Sequence, residues 1–256
     1  MSSKMTSNQW DLRIDGDVIV YQAGFAADAR GADTVAPSLL NIRSSINSLI
    51  NKFPGKWKIY LSSENPKDNF RTEIVKDYKA NRVKLRRPKF YKEMRAYLIK
   101  HRAEVVDWGE ADDWLGINLS PYTVIASIDK DLLMIPCYHY RIHRGITVKA
   151  EDPGELELIK KKNKYTLEGY GFKWFCAQML LGDKVDNIKA AKKGFGPRQI
   201  YDYLYTPGPE TSYGYWQAVE HFYWQNGIED RLDIQAKLLW IAREERQIWS
   251  SELANL

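Results

Sequence analysis

Apolar positions along the first half of the chain follow two alternating rhythms. Short runs rich in β-branched and aromatic residues, Trp10 to Ile14, Trp57 to Leu61, Ala103 to Trp108 and Tyr122 to Ile128, read as strands. Between them the spacing turns helical. Val18 to Ala27 is an apolar stretch, and Ser38 is placed to cap a helix whose apolar face is Leu39, Ile42, Ile46, Leu49 and Ile50. Residues 70–82 and 88–101 have helical character, the latter with Phe90, Met94, Tyr97 and Leu98 on one side, and Glu110 opens a further helix to about Leu119. Strands separated by helical patterns imply crossover units and a mostly parallel sheet. Residues 137–148 read as a hairpin turning at Gly145, and only helices are expected from Thr166 onward. The expected architecture is an α/β domain over 1–160 with a helical part over 161–256 packed on it. Trp240 to Trp249, with Leu238, Ile241 and Ile248, reads as core packing of a final amphipathic helix.

The acids recur at one kind of place on this scaffold. Asp15 follows the first strand and Glu64 the second; Glu110, Asp112 and Asp113 follow the third, and Asp129 and Asp131 the fourth. Asp183 and Asp186 come just after a helix ending at Leu181. Taken singly these have structural readings: Asp17 as a cap of the following helix, Glu110, Asp112 and Asp113 as helix-dipole acids, Asp183 as a turn residue. Taken together, the acids that follow the strands should converge at the carboxyl ends, where open parallel sheets build their sites, with Asp183 and Asp186 as a further set. Carboxylates gathered there repel one another unless cations neutralise them. Oxygen donors without nearby His or Cys select hard cations, Mg²⁺ or Mn²⁺. Two such ions about 3.5–4 Å apart are the usual apparatus for in-line attack on a phosphodiester.

Composition sharpens this picture. The chain has 256 residues with a formal net charge of +5, so setting the clustered acids aside leaves a distinctly basic body suited to a polyanion. Nine Trp and sixteen Tyr argue against disorder. No apolar run reaches the roughly 18–20 residues of a membrane span, and Met1 to Trp10 has no apolar core of the secretory type. Cys137 and Cys176 are too few for a disulfide framework or a thiolate zinc site. His139 and His143 form a possible zinc pair, but without a further ligand nearby surface or satisfied histidines are expected.

Basic and aromatic neighbours point the same way. Lys79 and Arg82 are three apart and would share a helix face, and they read as clamps on a scissile phosphate; Arg71, close to that face, is a further catalytic candidate. Tyr78 is placed to stack on an unpaired base. The run from Lys84 to Arg102 is dense in positive charge; it can be a solvated helix surface, and for its more distant lysines that reading is favoured. Gly194-Phe195-Gly196-Pro197 between helical segments reads as a helix–hairpin–helix whose backbone N–H groups hold a DNA phosphate, with Lys192, Lys193 and Arg198 adding charge.

At this point the motifs resemble those of the 5′-nuclease, or flap endonuclease, family. The segments that carry the likeness are Ile14-Asp15-Gly16, Phe70-Arg71, Tyr78-Lys79-Ala80-Asn81-Arg82, Glu110-Ala111-Asp112-Asp113, Asp129-Lys130-Asp131 and Gly182-Asp183-Lys184-Val185-Asp186-Asn187-Ile188, in the family's order across about residues 10–205. The Asp-Gly-Asp opening looks most like stand-alone phage members. The resemblance implies a PIN-like fold, two Mg²⁺ or Mn²⁺ ions, a helix–hairpin–helix that grips duplex, and in many relatives a potassium ion on hairpin carbonyls. Carried over, one metal group is Asp15, Glu64, Glu110 and Asp112 and the other Asp131, Asp183 and Asp186, with Asp113 and Asp129 between them or behind.

The chain departs from the family pattern in three places. Glu64 stands where Asp is usual, the segment from Asn187 to Gly194 is one residue longer and lacks prolines, and Arg82 to Pro88 is short for a closed helical arch. The implied activity is 5′→3′ exonuclease and 5′-flap cleavage of duplex DNA, with removal of RNA primers from RNA–DNA hybrids. It implies a monomer in the host bacterium's cytoplasm. A PIN-type endoribonuclease acting on single-stranded RNA, and a non-catalytic DNA-binding relative, are the competing readings.

Overall fold

A computed structural model describes residues 9–84, 86–205 and 210–255. Residues 1–8, on which the reading of the N-terminus largely falls, and Leu85, within the stretch read as too short for an arch, lie outside them. In chain order the elements are β1 (Trp10–Asp15), α1 (Gly16–Asp28), α2 (Ala36–Lys52), β2 (Gly55–Leu61), α3 (Phe70–Ile74), α4 (Tyr91–Lys100), β3 (Glu104–Val105), α5 (Ala111–Gly116), β4 (Thr123–Ser127), β5 (Tyr138–Arg141), β6 (Ile146–Lys149), β7 (Glu155–Lys161), β8 (Lys164–Tyr170), α6 (Gly171–Leu181), α7 (Pro197–Tyr205), α8 (Ser212–Gln225) and α9 (Leu232–Leu239).

The chain divides into two compact units that are discontinuous in sequence. The first comprises residues 1–69, 85–128 and 137–148, and the second 70–84, 129–136 and 149–256. The boundary expected near residue 160 falls inside the β7–β8 hairpin, within the second unit.

The first unit is built on a six-stranded sheet of order β3-β2-β1-β4-β5-β6. The pairs β2–β3, β1–β2, β1–β4 and β4–β5 are parallel. Every residue of β4 is buried, as a central strand covered on both faces requires. On one face Leu12, Ile14, Ile59 and Leu61 meet Ile19 and Val20 of α1, Ile42 and Leu49 of α2 and Met94 and Leu98 of α4. On the other lies α5, where Arg13 of β1 donates to the carbonyls of Leu115 (3.0 Å) and Asn118 (2.7 Å). Strand order reverses between β1 and β4, so the carboxyl ends of these two strands bound the crevice that such sheets use.

The second unit contains the antiparallel β7–β8 ribbon and helices α3 and α6 to α9. Its core is aromatic. Phe175 of α6 lies 4.8 Å from Trp249, 5.1 Å from Trp240 and 6.2 Å from Trp216, centroid to centroid. Each such side chain taken fully out of water contributes roughly 1.5–3 kcal/mol. No helix among the described residues is long and apolar enough to cross a membrane.

Several local expectations are corrected. The helix expected over 70–82 stops at Ile74, because the chain turns before a 3₁₀ segment, Ala80–Lys84, with Lys79 at a positive φ of 55°. The third strand shrinks to Glu104–Val105, and α5 ends at Gly116 rather than near Leu119. Thr166 falls in strand β8 and not in a helix, since Glu155 to Ile159 and Tyr165 to Leu167 alternate with period two. Ser38 lies inside α2, whose start Pro37 draws upstream. Trp240 and Trp249 are buried as expected, but no helix carries them: α9 ends at Leu239, and Ile248 is exposed.

Candidate functional site

In the first unit the acids are built into helix starts. Asp15 ends β1 and caps α1, accepting from Val18 N at 3.0 Å, while its other oxygen accepts from Ser127 Oγ at 2.7 Å. It is the cap assigned above to Asp17. The carboxyl ends of β1 and β4 are thus joined at the sheet's switch point. Glu110 and Asp113 form a reciprocal capping box on α5, with Asp113 Oδ2 accepting from Glu110 N at 2.9 Å. Asp113 is fully buried, and a Cβ at Gly109 would stand 2.5 Å from its Oδ2, which leaves only glycine room there. Asp112 follows on the same helix, half-buried.

Asp17 has a different task. It accepts from Ser62 N (2.9 Å) and from Arg95 (2.8 Å), whose other nitrogen donates to Ser62 O at 2.7 Å. Ser62 Oγ in turn accepts from Ala111 N, at the start of α5 (3.0 Å). Burial raises the Asp17 carboxyl above its ordinary range, and the charge of Glu110 adds to this against the opposing hydrogen bonds and Arg95. Glu64 is exposed and pairs with Arg87 at 3.0 Å.

In the second unit the acids sit beside one another and beside cations. Asp131 N donates to Asp129 Oδ1 (2.8 Å), and the buried amide of Gln178 on α6 donates to Asp131 Oδ1. Burial is the main reason that the Asp131 carboxyl is held well above its usual range; Asp129, then Asp183 and Asp186, push the same way, and Lys130 opposes them. The loop from Asp183 to Ile188 closes on itself through an antiparallel bridge, with Asp183 also accepting from Val185 N at 2.7 Å. Asp186 receives Lys79 Nζ (3.5 Å), the Arg82 guanidinium and the Tyr78 hydroxyl (3.3 Å). Backbone contacts from Lys79 N to Asp186 O and from Asn81 Nδ2 to Lys184 O stitch the two segments together.

The segment from Tyr78 to Arg82 is therefore assembled around Asp186, though not as the helix face expected. Tyr78 is buried with Lys79 over its ring, so it holds Asp186 and offers no open face to a base. Arg71 departs furthest from its expected catalytic role. It is 2% exposed and donates to the carbonyls of Leu238 and Trp240, anchoring α3 to α9. Lys192, Lys193, Gly194 and Arg198 are exposed in the stretch leading into α7, and Gly196 N is taken by Gln199 Oε1 at 3.1 Å. His139 is buried beside Cys137, whereas His143 lies exposed beyond the end of β5, so the two make no pair.

Sequence reasoning gave no site role to Ser62, Arg95, Ser127 or Gln178. Arg95 belonged to a basic run that can be read as solvated, yet it is buried. The donor set as a whole is oxygen-rich and suits a hard cation, and the like charge that raises Asp131 is a condition that a cation relieves. As the side chains stand, no three His, Cys, Asp or Glu among the described residues converge closely enough to hold a metal ion.

No family model matches this chain, and no curated protein sequence does. Among solved structures, the crystal structure of the T5 D15 protein co-crystallised with metal ions matches with a TM-score of 0.57 and 16% identity, over 90% of this chain and 89% of that one. A likeness of that kind establishes a shared fold, the expected PIN-like arrangement of a mostly parallel sheet flanked by helices.

Proposed function

We propose that a chain with this fold is a divalent-metal-dependent 5′-nuclease, acting as a 5′→3′ exonuclease and 5′-flap endonuclease on duplex DNA and on RNA primers in RNA–DNA hybrids. The observation that carries the reading is the set Asp129, Asp131, Asp183 and Asp186. Burial first, and then the charges of Asp129, Asp183 and Asp186, raise the Asp131 carboxyl, and a nuclease needs such a concentration of negative charge to recruit cations. The fold shared with a protein co-crystallised with metal ions supports it.

Bound Mg²⁺ or Mn²⁺ would supply a water of lowered pKa and charge neutralisation at the phosphate. Asp131, Asp183 and Asp186 would hold one ion and Asp15, Glu110 and Asp112 the other; Asp113 and Asp129 would orient them, and Glu64 joins the set through the resemblance alone. Lys79 and Arg82 already balance an anion, the Asp186 carboxylate, so they are suited to a phosphate in its place. Lys192, Lys193, Gly194, Gly196 and Arg198, between α6 and the first turn of α7, would act as the helix–hairpin–helix grip on duplex backbone. A K⁺ ion would sit on its carbonyls. The protein would act as a monomer in the cytoplasm of a bacterial host.

The test is a time course on 5′-labelled nicked, flapped and RNA-primed duplexes beside a single-stranded RNA of equal length, with Mg²⁺ and with chelator. Mononucleotides and flap-length fragments are expected only with Mg²⁺ and only from the duplexes. Asp131→Asn and Asp183→Asn should each lower cleavage on the order of 10³-fold while retaining binding. Cleavage restricted to the single-stranded RNA would favour the endoribonuclease reading. Full activity in either variant would contradict the mechanism.

A further inference from the structure

The tip of the β7–β8 ribbon is more basic than its own structure explains. Four of the five residues 160–164 are lysines: Lys160, Lys161, Lys162 and Lys164. All four are exposed, and among the described residues none forms an ion pair. Lys161 and Lys164 are direct cross-strand partners, and like charges placed opposite one another destabilise a ribbon. The turn itself, Lys162-Asn163, puts Lys162 at a φ of +53°, a conformation usually left to glycine or asparagine.

The ribbon's own acids do not relieve this. Glu157 opposes Glu168 nearer the base, about 13 Å along the strand from Lys161 and about 10 Å from Lys160, which points to the opposite face, at or beyond the Debye length of about 8–10 Å. Two unfavourable features therefore coincide at a tip whose residues 160–164 are all exposed. Its base, in contrast, is well anchored. Leu156 and Leu167 are buried, and Tyr205 of α7 donates its hydroxyl to Leu156 O at 3.0 Å; nearer the tip the Arg198 guanidinium lies 5.7 Å over Tyr165, the cross-strand partner of Lys160.

We propose that this lysine tip is an additional nucleic-acid contact, an arm that binds duplex phosphates beyond those gripped near α7. The choice of a nucleic acid as the polyanion rests on the nuclease reading. Arg198 supports it independently, because through Tyr165 it joins the tip end of the ribbon to the helix start that follows Lys192 and Lys193. Phosphates spaced about 1.7 Å apart along a duplex axis offer dense negative charge for such a cluster. The arm contributes affinity and placement but no sequence preference, since lysines on phosphates carry none.

The experiment compares three full-length chains: wild type, K160Q/K161Q/K162Q/K164Q, and the same four positions changed to Arg. Binding to a 5′-flapped duplex is followed by fluorescence anisotropy in chelator across a KCl series, with thermal midpoints measured in parallel. The Gln chain is expected to bind roughly tenfold more weakly and to show a salt slope smaller by about 2–3, because each lost phosphate contact removes about 0.9. The Arg chain should match wild type. The Gln chain should melt no lower than wild type, since repulsion at Lys161 and Lys164 is gone. An unchanged slope in the Gln chain, or a loss that Arg does not restore, overturns the arm alone. Absence of duplex binding by wild type overturns the nuclease reading and the arm with it. Lysine-dependent capture on phosphatidylserine vesicles, with duplex binding unaltered, would assign the tip to a membrane surface instead.

Discussion

Asp15 and Asp113, in the first unit, give their oxygens to backbone N–H groups and a serine hydroxyl, whereas Asp186, in the second, is surrounded by a lysine, an arginine and a tyrosine hydroxyl. A carboxylate bound by the main chain is located by the helix it caps, and moving it means unwinding that helix. A carboxylate held by long cationic side chains is located by groups that can turn to another anion. The first arrangement fixes oxygens in place; the second keeps charge in reserve for a phosphate. Removing an acid from the first unit should therefore cost stability, and removing one from the second should cost catalysis and little else.

The largest loss of stability among the first unit's acids is expected at Asp17, which accepts from a main-chain N–H and from a buried arginine. Asp17→Ala would leave the buried Arg95 guanidinium and Ser62 N without their partner. Breaking one side of a buried pair costs about 3–5 kcal/mol; the Asp17 side chain is 26% exposed, so the expected loss is nearer 2–4 kcal/mol by the same reasoning. Urea denaturation measures it. A change below about 0.5 kcal/mol, the range of ordinary surface substitutions, would mean that the first unit's acids are no more structural than the second's.

The contrast also explains what could be read from the chain alone. Strands β1, β2 and β4 and the acids at their ends were legible because a strand buried on both faces must be a continuous apolar run, and its end is where polarity returns. The β7–β8 ribbon was not, since the lysine run at its turn masks the alternation of Leu156, Leu158, Tyr165 and Leu167. Arg71 and Arg95 misled for one shared reason. An arginine is buried only when acceptors surround it, and theirs come from Leu238 and Trp240, and from Asp17 and Ser62, far away along the chain. No local pattern announces such partners. The same holds for Gln178, whose role appears only once α6 is packed beside Asp131.

A smaller effect of opposite sign is expected at Asp131 in the metal-free protein. Its carboxyl is raised in the folded chain above the ordinary value of 3.8, so the native state holds that proton more tightly than the unfolded one. Ionising it therefore costs stability progressively as pH climbs from about 3.8 through the raised value, and the cost is complete above it. Asp131→Asn removes the cost. In chelator the variant should be more stable than wild type at neutral pH and indistinguishable below the ordinary carboxylate range, by denaturant midpoints at both. A variant less stable at neutral pH would show that the Gln178 contact outweighs burial and repulsion, and that Asp131 belongs with the structural acids.

The least effect is expected at Glu64, the acid that neither arrangement claims. Its side chain is 49% exposed and that of Arg87 55%, and an ion pair so open to water contributes about 0–1 kcal/mol. Arg87→Ala and Glu64→Gln should each shift the denaturation midpoint within that range. In cleavage Glu64→Gln should fall far short of Asp131→Asn, because a half-exposed carboxylate paired with a half-exposed arginine is poorly preorganised for a metal ion. A loss as deep as that of Asp131→Asn would place Glu64 in the metal set after all. The Arg87 pair would then be a resting contact that a bound cation displaces, as a phosphate is expected to displace Asp186 from Lys79 and Arg82.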